Sequence, residues 1–304
     1  SSNPTSCFCH CTGMPPSGSS DSTSDSGTQL YLPSVDGSTG TQYLLQPNQR
    51  MSAMTYCLAI SIRSGIIFAS DSRTNAGPDQ VATYGKMYTF GAPGERQIAL
   101  LAAGNLATTQ AVITQLQQDL EEKSDLNVLN ATSMARLAEY VGQVTYAQEQ
   151  KHEPEINQAG FSVEASFILG GQIGSDPHQL FLIYPQGNFI TSSEQTPFLQ
   201  IGETKYGKTI LDRIIDLDID LDEAARCALV SMESTIKSNA TVGPPIELLR
   251  YQANSLEFSG YLQLDADDPY LTKLMHAWDE RLREAFSQVP HFEWGGFSDS
   301  TRFR

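Results

Sequence analysis

The chain has 304 residues, a formal charge of −16 and 40% hydrophobic residues, so one or two domains with a sizeable core are expected. That acidic balance excludes a phosphate-backbone binder, which needs clustered Lys and Arg. The longest apolar runs, such as Ile98 to Ala103, are far shorter than the ~20 residues of a membrane helix, so neither nucleic acid nor a membrane is an expected partner.

Residues 1–54 differ from everything after them. Of these 54 positions, 28 are Ser, Thr, Gly or Pro, and Arg50 is the only Lys or Arg. Such a stretch cannot bury enough apolar surface to offset the entropy of ordering it, so a disordered extension is expected. It has neither the basic start nor the apolar segment of a secretory signal. Cys7, Cys9, His10 and Cys11 cluster within it but lack the second ligand pair of a zinc site, and no metal is expected there. The remaining cysteines, Cys57 and Cys227, lie in apolar surroundings. A disulfide framework wants an even, spread set in a small secreted chain, so a reducing, cytoplasmic setting is the expectation.

From Thr55 onward the pattern changes. Thr55–Arg63 alternates and is rich in β-formers, Ser64-Gly65 makes a turn, and Ile66–Ser70 returns as a second strand. Arg96–Ala103 reads as another strand. Gly104 then leads into a helix with Asn105 as its N-cap and Leu106, Val112, Ile113 and Leu116 as its apolar face. A second helix is expected over Ser133–Glu149, and strands over Phe161–Leu169, Gln179–Tyr184 and Asn188–Thr191. Helices at Thr204–Ile215 and Leu221–Lys237, strands at Ile246–Tyr251 and Leu256–Leu264, and a last helix at Pro269–Phe286 complete the chain. Strands grouped at both ends around paired helices point to stacked sheets with helical outer layers. The aromatic stretch His291–Phe297 beyond the last helix is expected to dock on a neighbouring subunit.

Several common signatures are missing: there is no G-x-S-x-G, no H-E-x-x-H and no C-x-x-C. The five histidines are scattered, with no convincing Ser or Cys partner nearby. Gly202–Thr209 does match the phosphate-cradling pattern G-x-x-x-x-G-K-[ST]. Its interior is bulky, and no apolar run ending in Asp follows to hold Mg²⁺, so a helix N-terminus packed on a sheet is expected instead. The acidic run Asp216–Asp222 lacks the glycine and distal glutamate of a calcium loop, and suits the positive end of the helix that follows.

The informative constellation starts at Met54-Thr55. A threonine that becomes residue one carries a free α-amine within reach of its own hydroxyl. With an ordinary pKa of ~7.7–8.0, that amine is partly unprotonated near neutrality and can act as a general base. Asp71 ends the second strand, which the hairpin returns to the threonine end. Lys86 follows fifteen residues later, where its ammonium could stabilise the Thr Oγ alkoxide while Asp71 holds it in place. Gly104, between strand and helix, can offer a backbone N–H to an oxyanion. Spacing alone leaves two readings open. Thr55 is also a good strand residue, Asp71-Ser72 a good turn, Lys86 a solvated charge and Gly104 a turn glycine.

Four segments decide between them: Met54–Cys57, Phe68–Gly77, Leu100–Gln110 and Ser238–Pro245. In this order they resemble the proteasome β-subunit family, and within it the bacterial ancestral β-subunit branch, over Thr55–Leu264. The resemblance implies an α+β fold, the four-layer αββα sandwich of N-terminal-nucleophile hydrolases, over residues 55–304 with a C-terminal helix and tail. The extension 1–54 would be absent from the mature enzyme. The activity implied is threonine-type hydrolysis of peptide or unfolded-protein substrate inside a ring or spiral homo-oligomer, with no metal or organic cofactor. Carried over position by position, Thr55 is nucleophile and base, Asp71 and Lys86 tune it, and Gly104 supplies the oxyanion donor. Met54 stands where these subunits usually have Gly, Lys86 falls one residue early, Glu203 replaces a usual Ser, and Ser238 and Thr241 occupy a region where an Asp and a Ser are usual. The alternatives are a non-catalytic assembly subunit that retains residues 1–54, and a same-fold amidohydrolase acting on a small amide.

Overall fold

Alternation along the strands sets the layering. The computed structural model describes residues 55–75, 81–156 and 162–292, all within the compact unit Asn48–Arg304. The cysteine cluster, the 1–54 extension and most of the aromatic tail lie outside these residues. In chain order the first elements are β1 (Tyr56–Ile62), β2 (Gly65–Asp71), β3 (Arg73–Asn75), β4 (Val81–Thr83), β5 (Met87–Ala92) and β6 (Arg96–Gly104). Helices α1 (Leu106–Glu121) and α2 (Met134–Ile156) follow, then β7 (Ala165–Ile173), β8 (Gln179–Ile183), β9 (Phe189–Thr191) and β10 (Phe198–Gly202). The chain continues through α3 (Thr204–Ile214), α4 (Leu221–Ser238), β11 (Ile246–Gln252), β12 (Phe258–Leu264) and α5 (Pro269–Ser287).

Two five-stranded sheets result, ordered β10-β1-β2-β11-β12 and β5-β6-β7-β8-β9, and every pairing within them is antiparallel. Successive side chains of a strand point to opposite faces. Tyr56, Leu58, Ile60 and Ile62 of β1 therefore pack with Leu211 and with Ala224 and Ala228 of α4, while Cys57 and Ala59 meet Leu101 and Ile168 between the sheets. On β6, Ile98, Leu100 and Ala102 face Val112, Leu116 and Leu137 of α1 and α2, and Ala99, Leu101 and Ala103 face inward. Three apolar layers thus alternate with four structural ones: α1/α2, sheet, sheet, α3/α4. This is the αββα sandwich expected. Truncating a side chain such as Leu58 in this core costs about 2–5 kcal/mol.

Most elements fall where sequence patterning places them, with instructive differences. Strand β7 begins later than Phe161 and runs on through Gly170-Gly171. A Cβ at Gly170 would lie 2.4 Å from Leu180 Cδ2 and 2.6 Å from Phe68 Cε1, so this glycine permits close sheet packing and does not mark a turn. Helix α2 extends past Glu149 to Ile156. The β3–β4 hairpin and edge strand β5 had no counterpart in the sequence reading. No helix among the described residues is long and apolar enough to cross a membrane.

Candidate active site

The β1–β2 hairpin returns the chain to its start. Its register pairs Cys57 with Ser70, which brings Asp71 beside Thr55 and Tyr56. The Asp71 side chain is fully buried, and an isolated carboxylate there would be costly. It is not isolated. Oδ1 accepts the Thr55 hydroxyl, the Tyr56 N–H at 3.0 Å and Lys86 Nζ at 2.7 Å. Oδ2 accepts the Gly243 N–H at 3.2 Å. Lys86 also donates to the Arg73 carbonyl at 2.6 Å, so its ammonium is fixed between two acceptors beside the Thr55 hydroxyl. The ion pair is buried on both sides.

The element that delivers Lys86 is β5. Met87 pairs with Leu101 on β6, and the Ala102 N–H donates to the Lys86 carbonyl at 2.9 Å, which pins the lysine backbone against the second sheet. The same strand ends at Gly104, whose φ of +113° favours glycine, and where a Cβ would lie 2.3 Å from the Glu164 carbonyl. Asn105 then caps α1, its Oδ1 accepting the Thr108 N–H at 3.1 Å. The positive end of α1 therefore opens beside the site. Thr55, Lys86, Tyr88, Ala102, Gly104 and Leu106 line one cleft between the sheets and that helix end. The structure thus gathers all four residues singled out from sequence: Thr55, Lys86 and Gly104 on the cleft wall, and Asp71 behind them.

Three contributors were not singled out. Arg73 lines the cleft and donates to the Ala240 carbonyl at 2.9 Å, tying the β3 hairpin to the loop after α4. That loop supplies Gly243, within the quoted segment Ser238–Pro245. Tyr88 was recoverable only from the Met-Tyr-Thr-Phe alternation of β5. Beneath the site, Cys57 places Sγ 3.6 Å from the Ala102 carbonyl, and burial pushes its thiol pKa well up, so it stays a neutral packing group.

The phosphate-loop pattern forms no cradle. Only Glu203 separates β10 from α3, its N–H is spent on the Thr55 carbonyl at 2.7 Å, and Lys208 pairs with Asp212 at 2.6 Å one turn on. Gly207 packs inside the protein, where a Cβ would lie 2.3 Å from both Ser231 Oγ and the Tyr56 hydroxyl. The acidic run caps α4 through Asp220, whose side chain accepts the Glu223 N–H in a capping box. Among the described residues no group of three or more His, Cys, Asp or Glu is arranged to hold a metal ion.

Two antiparallel sheets between helical layers, with a threonine at the head of the first strand, define an N-terminal-nucleophile-type sandwich. Comparison with known proteins narrows this. A family model described as proteasome subunit matches residues 51–249. The ancestral β-subunit (Anbu) of Yersinia bercovieri is 40% identical with a TM-score of 0.74, covering 80% of this chain and 100% of its own. The helical assembly of the Anbu complex from Pseudomonas aeruginosa shows 43% identity, a TM-score of 0.74, and coverage of 79% and 99%. Anbu from Hyphomicrobium sp. strain MC1 shows 42%, 0.71, and coverage of 79% and 100%. A comparison with curated protein sequences gives no match. The chain belongs to the proteasome-subunit family, in its ancestral β-subunit branch.

Proposed function

We propose that this protein is a proteasome-type threonine peptidase, with residues 1–54 removed to leave Thr55 as residue one. The observation that carries the reading is the Asp71 carboxylate holding the Thr55 hydroxyl and the Lys86 ammonium on one oxygen at the edge of a cleft. Thr55 Oγ attacks the scissile carbonyl while its own α-amine takes the hydroxyl proton, directly or through one water. The Gly104 N–H receives the oxyanion, and the Lys86 ammonium stabilises the attacking oxygen as its charge develops. Collapse expels the amine half of the substrate, which leaves with the proton, and an ester on Thr55. Water then hydrolyses that ester and restores the hydroxyl. Placing base and nucleophile on one residue removes the entropy of bringing them together. None of these steps calls on a metal or organic cofactor.

Thr55→Ala tests this: peptide hydrolysis is abolished while the fold, followed by circular dichroism and thermal melting, is retained. Unchanged turnover overturns the reading. An intact mass that still includes residues 1–54 in the purified protein favours the assembly subunit instead, since an amide nitrogen on Thr55 cannot act as base. Turnover of glutamine-like amides with none of short peptides favours the amidohydrolase. The helical assembly of the Pseudomonas aeruginosa relative supports self-association of this chain as well, into a ring or spiral. With Cys57 and Cys227 both as free thiols, we infer a cytoplasmic setting.

A further inference from the structure

Glu203 is a buried carboxylate that the chemistry above leaves unused. Strand β10 closes on Thr55 so tightly that a Cβ at Gly202 would sit 1.9 Å from the Thr55 carbonyl oxygen, and the Glu203 N–H donates to that oxygen at 2.7 Å. The Glu203 residue is 4% exposed. Its Oε2 accepts Asn239 Nδ2 at 3.0 Å, and Asn239 Oδ1 in turn accepts the Thr241 hydroxyl at 2.6 Å. Two residues further, the Gly243 N–H rests on Asp71 Oδ2. A closed circuit therefore runs from the Thr55 carbonyl through Glu203, Asn239, the 239–243 loop and Asp71 back to the Thr55 hydroxyl. Asp71 and Glu203 thus flank Thr55, the first through its carboxylate and the second through its backbone N–H. Asp71 has a buried cation in Lys86, whereas among the described residues the cation paired with Glu203 is Lys205, 3.4 Å away with a side chain 67% exposed. An exposed partner is screened and compensates a buried charge poorly.

We propose that Glu203 is the counter-ion of the Thr55 α-ammonium once residues 1–54 are gone, a positioning residue that orients the amine which serves as base. This rests on the threonine-peptidase reading. The charged groups packed near Thr55 are Asp71 on β2, Arg73 on β3, Lys86 ahead of β5, Glu247 on β11, which accepts the Ser70 and Ser72 hydroxyls, and Glu203 with Lys205 at the start of α3. An anion beside an ammonium favours the charged form. The amine should therefore titrate above its ordinary ~7.7–8.0, and the acid limb of kcat/KM should follow it upward.

The test uses the purified processed protein, its first residues identified by N-terminal sequencing, in three forms: parent, Glu203→Gln and Lys205→Ala. The Thr55 amine is titrated by NMR with ¹⁵N-threonine labelling, and kcat/KM is profiled against pH on a peptide substrate. Glu203→Gln should lower the amine midpoint and the acid limb by about one pH unit. Lys205→Ala, which strips away the competing cation, should move both upward. An unchanged midpoint in Glu203→Gln, with activity merely scaled at every pH, overturns the proposal. If that variant fails to fold, Glu203→Asp takes its place, since it keeps the charge but draws it back by one methylene; the midpoint should fall part of the way, and an unmoved midpoint there overturns the proposal. A midpoint that shifts as expected in a protein with no peptidase activity sustains the counter-ion and removes the peptidase reading. Sequencing that begins ahead of Thr55 removes both.

Discussion

Asp71 shows how much chemistry one buried side chain can organise. Its two oxygens collect four donors, one from each of the hydroxyl, the lysine and two backbone amides. Asp71→Asn keeps the shape and removes the charge. The Lys86 ammonium would then be buried without a counter-charge, and the new amide would point a donor at the Gly243 N–H. A stability loss of about 3 kcal/mol is expected, together with loss of hydrolysis. Chemical denaturation and a peptide assay on the same preparation check both effects. Stability unchanged from the parent would mean that the ion pair contributes nothing net. Which residues meet on Asp71 was legible in sequence only through family resemblance. Their separations along the chain are equally compatible with a solvated lysine and a turn aspartate, because a spacing says nothing about which strands will lie side by side.

At the level of elements, the site depends on a junction and on an unanticipated strand. Gly104 ends β6 with φ +113° and passes the chain to α1 under the Asn105 cap. Gly104→Ala combines an unfavourable backbone conformation with a Cβ aimed 2.3 Å from the Glu164 carbonyl, so the strand end must move. A rate drop of ~10²–10³, the usual cost of one oxyanion donor, is expected, with a lowered melting temperature. Steady-state kinetics at saturating and limiting substrate would show the fall in kcat; an alanine variant with parental kcat would remove Gly104 from the chemistry. Strands β1, β2 and β6 were readable because burial on both faces makes each a nearly continuous apolar run bounded by turn residues. Strand β5 was not, since it is a half-exposed edge that exists by pairing with β6, yet it is what carries Lys86 to the site. The phosphate-loop pattern misleads for the converse reason. Its spelling is local, but pairing of β10 with β1 commits the Glu203 amide to Thr55, and helix packing swallows Gly207.

For the whole molecule, the last helix carries a surface out of keeping with a monomer. Only Leu271 of α5 is buried, while Leu282 and Phe286, four residues apart on one face, are exposed, Phe286 by 77%. Exposed aromatics on a helix face suit an interface between copies of this chain. Phe286→Asp should leave the melting temperature of the fold nearly unchanged and shift the sedimentation profile to smaller species. A variant that assembles like the parent would place the interface elsewhere. The tail His291–Phe297, expected from sequence to dock on a neighbour, lies almost entirely outside the described residues.

Sequence by itself determined the change of character at Thr55, the alternating strands, the capped helices and the acidic charge balance, because composition and periodicity are properties of short stretches. Folding alone decided that Lys86 and Thr55 share one oxygen of Asp71, that Gly104 and a helix end open onto them, and that Glu203 closes the far side. Those meetings join residues as far apart in sequence as Thr55 and Glu203, and only antiparallel pairing within each sheet, with the two sheets stacked face to face, brings them together.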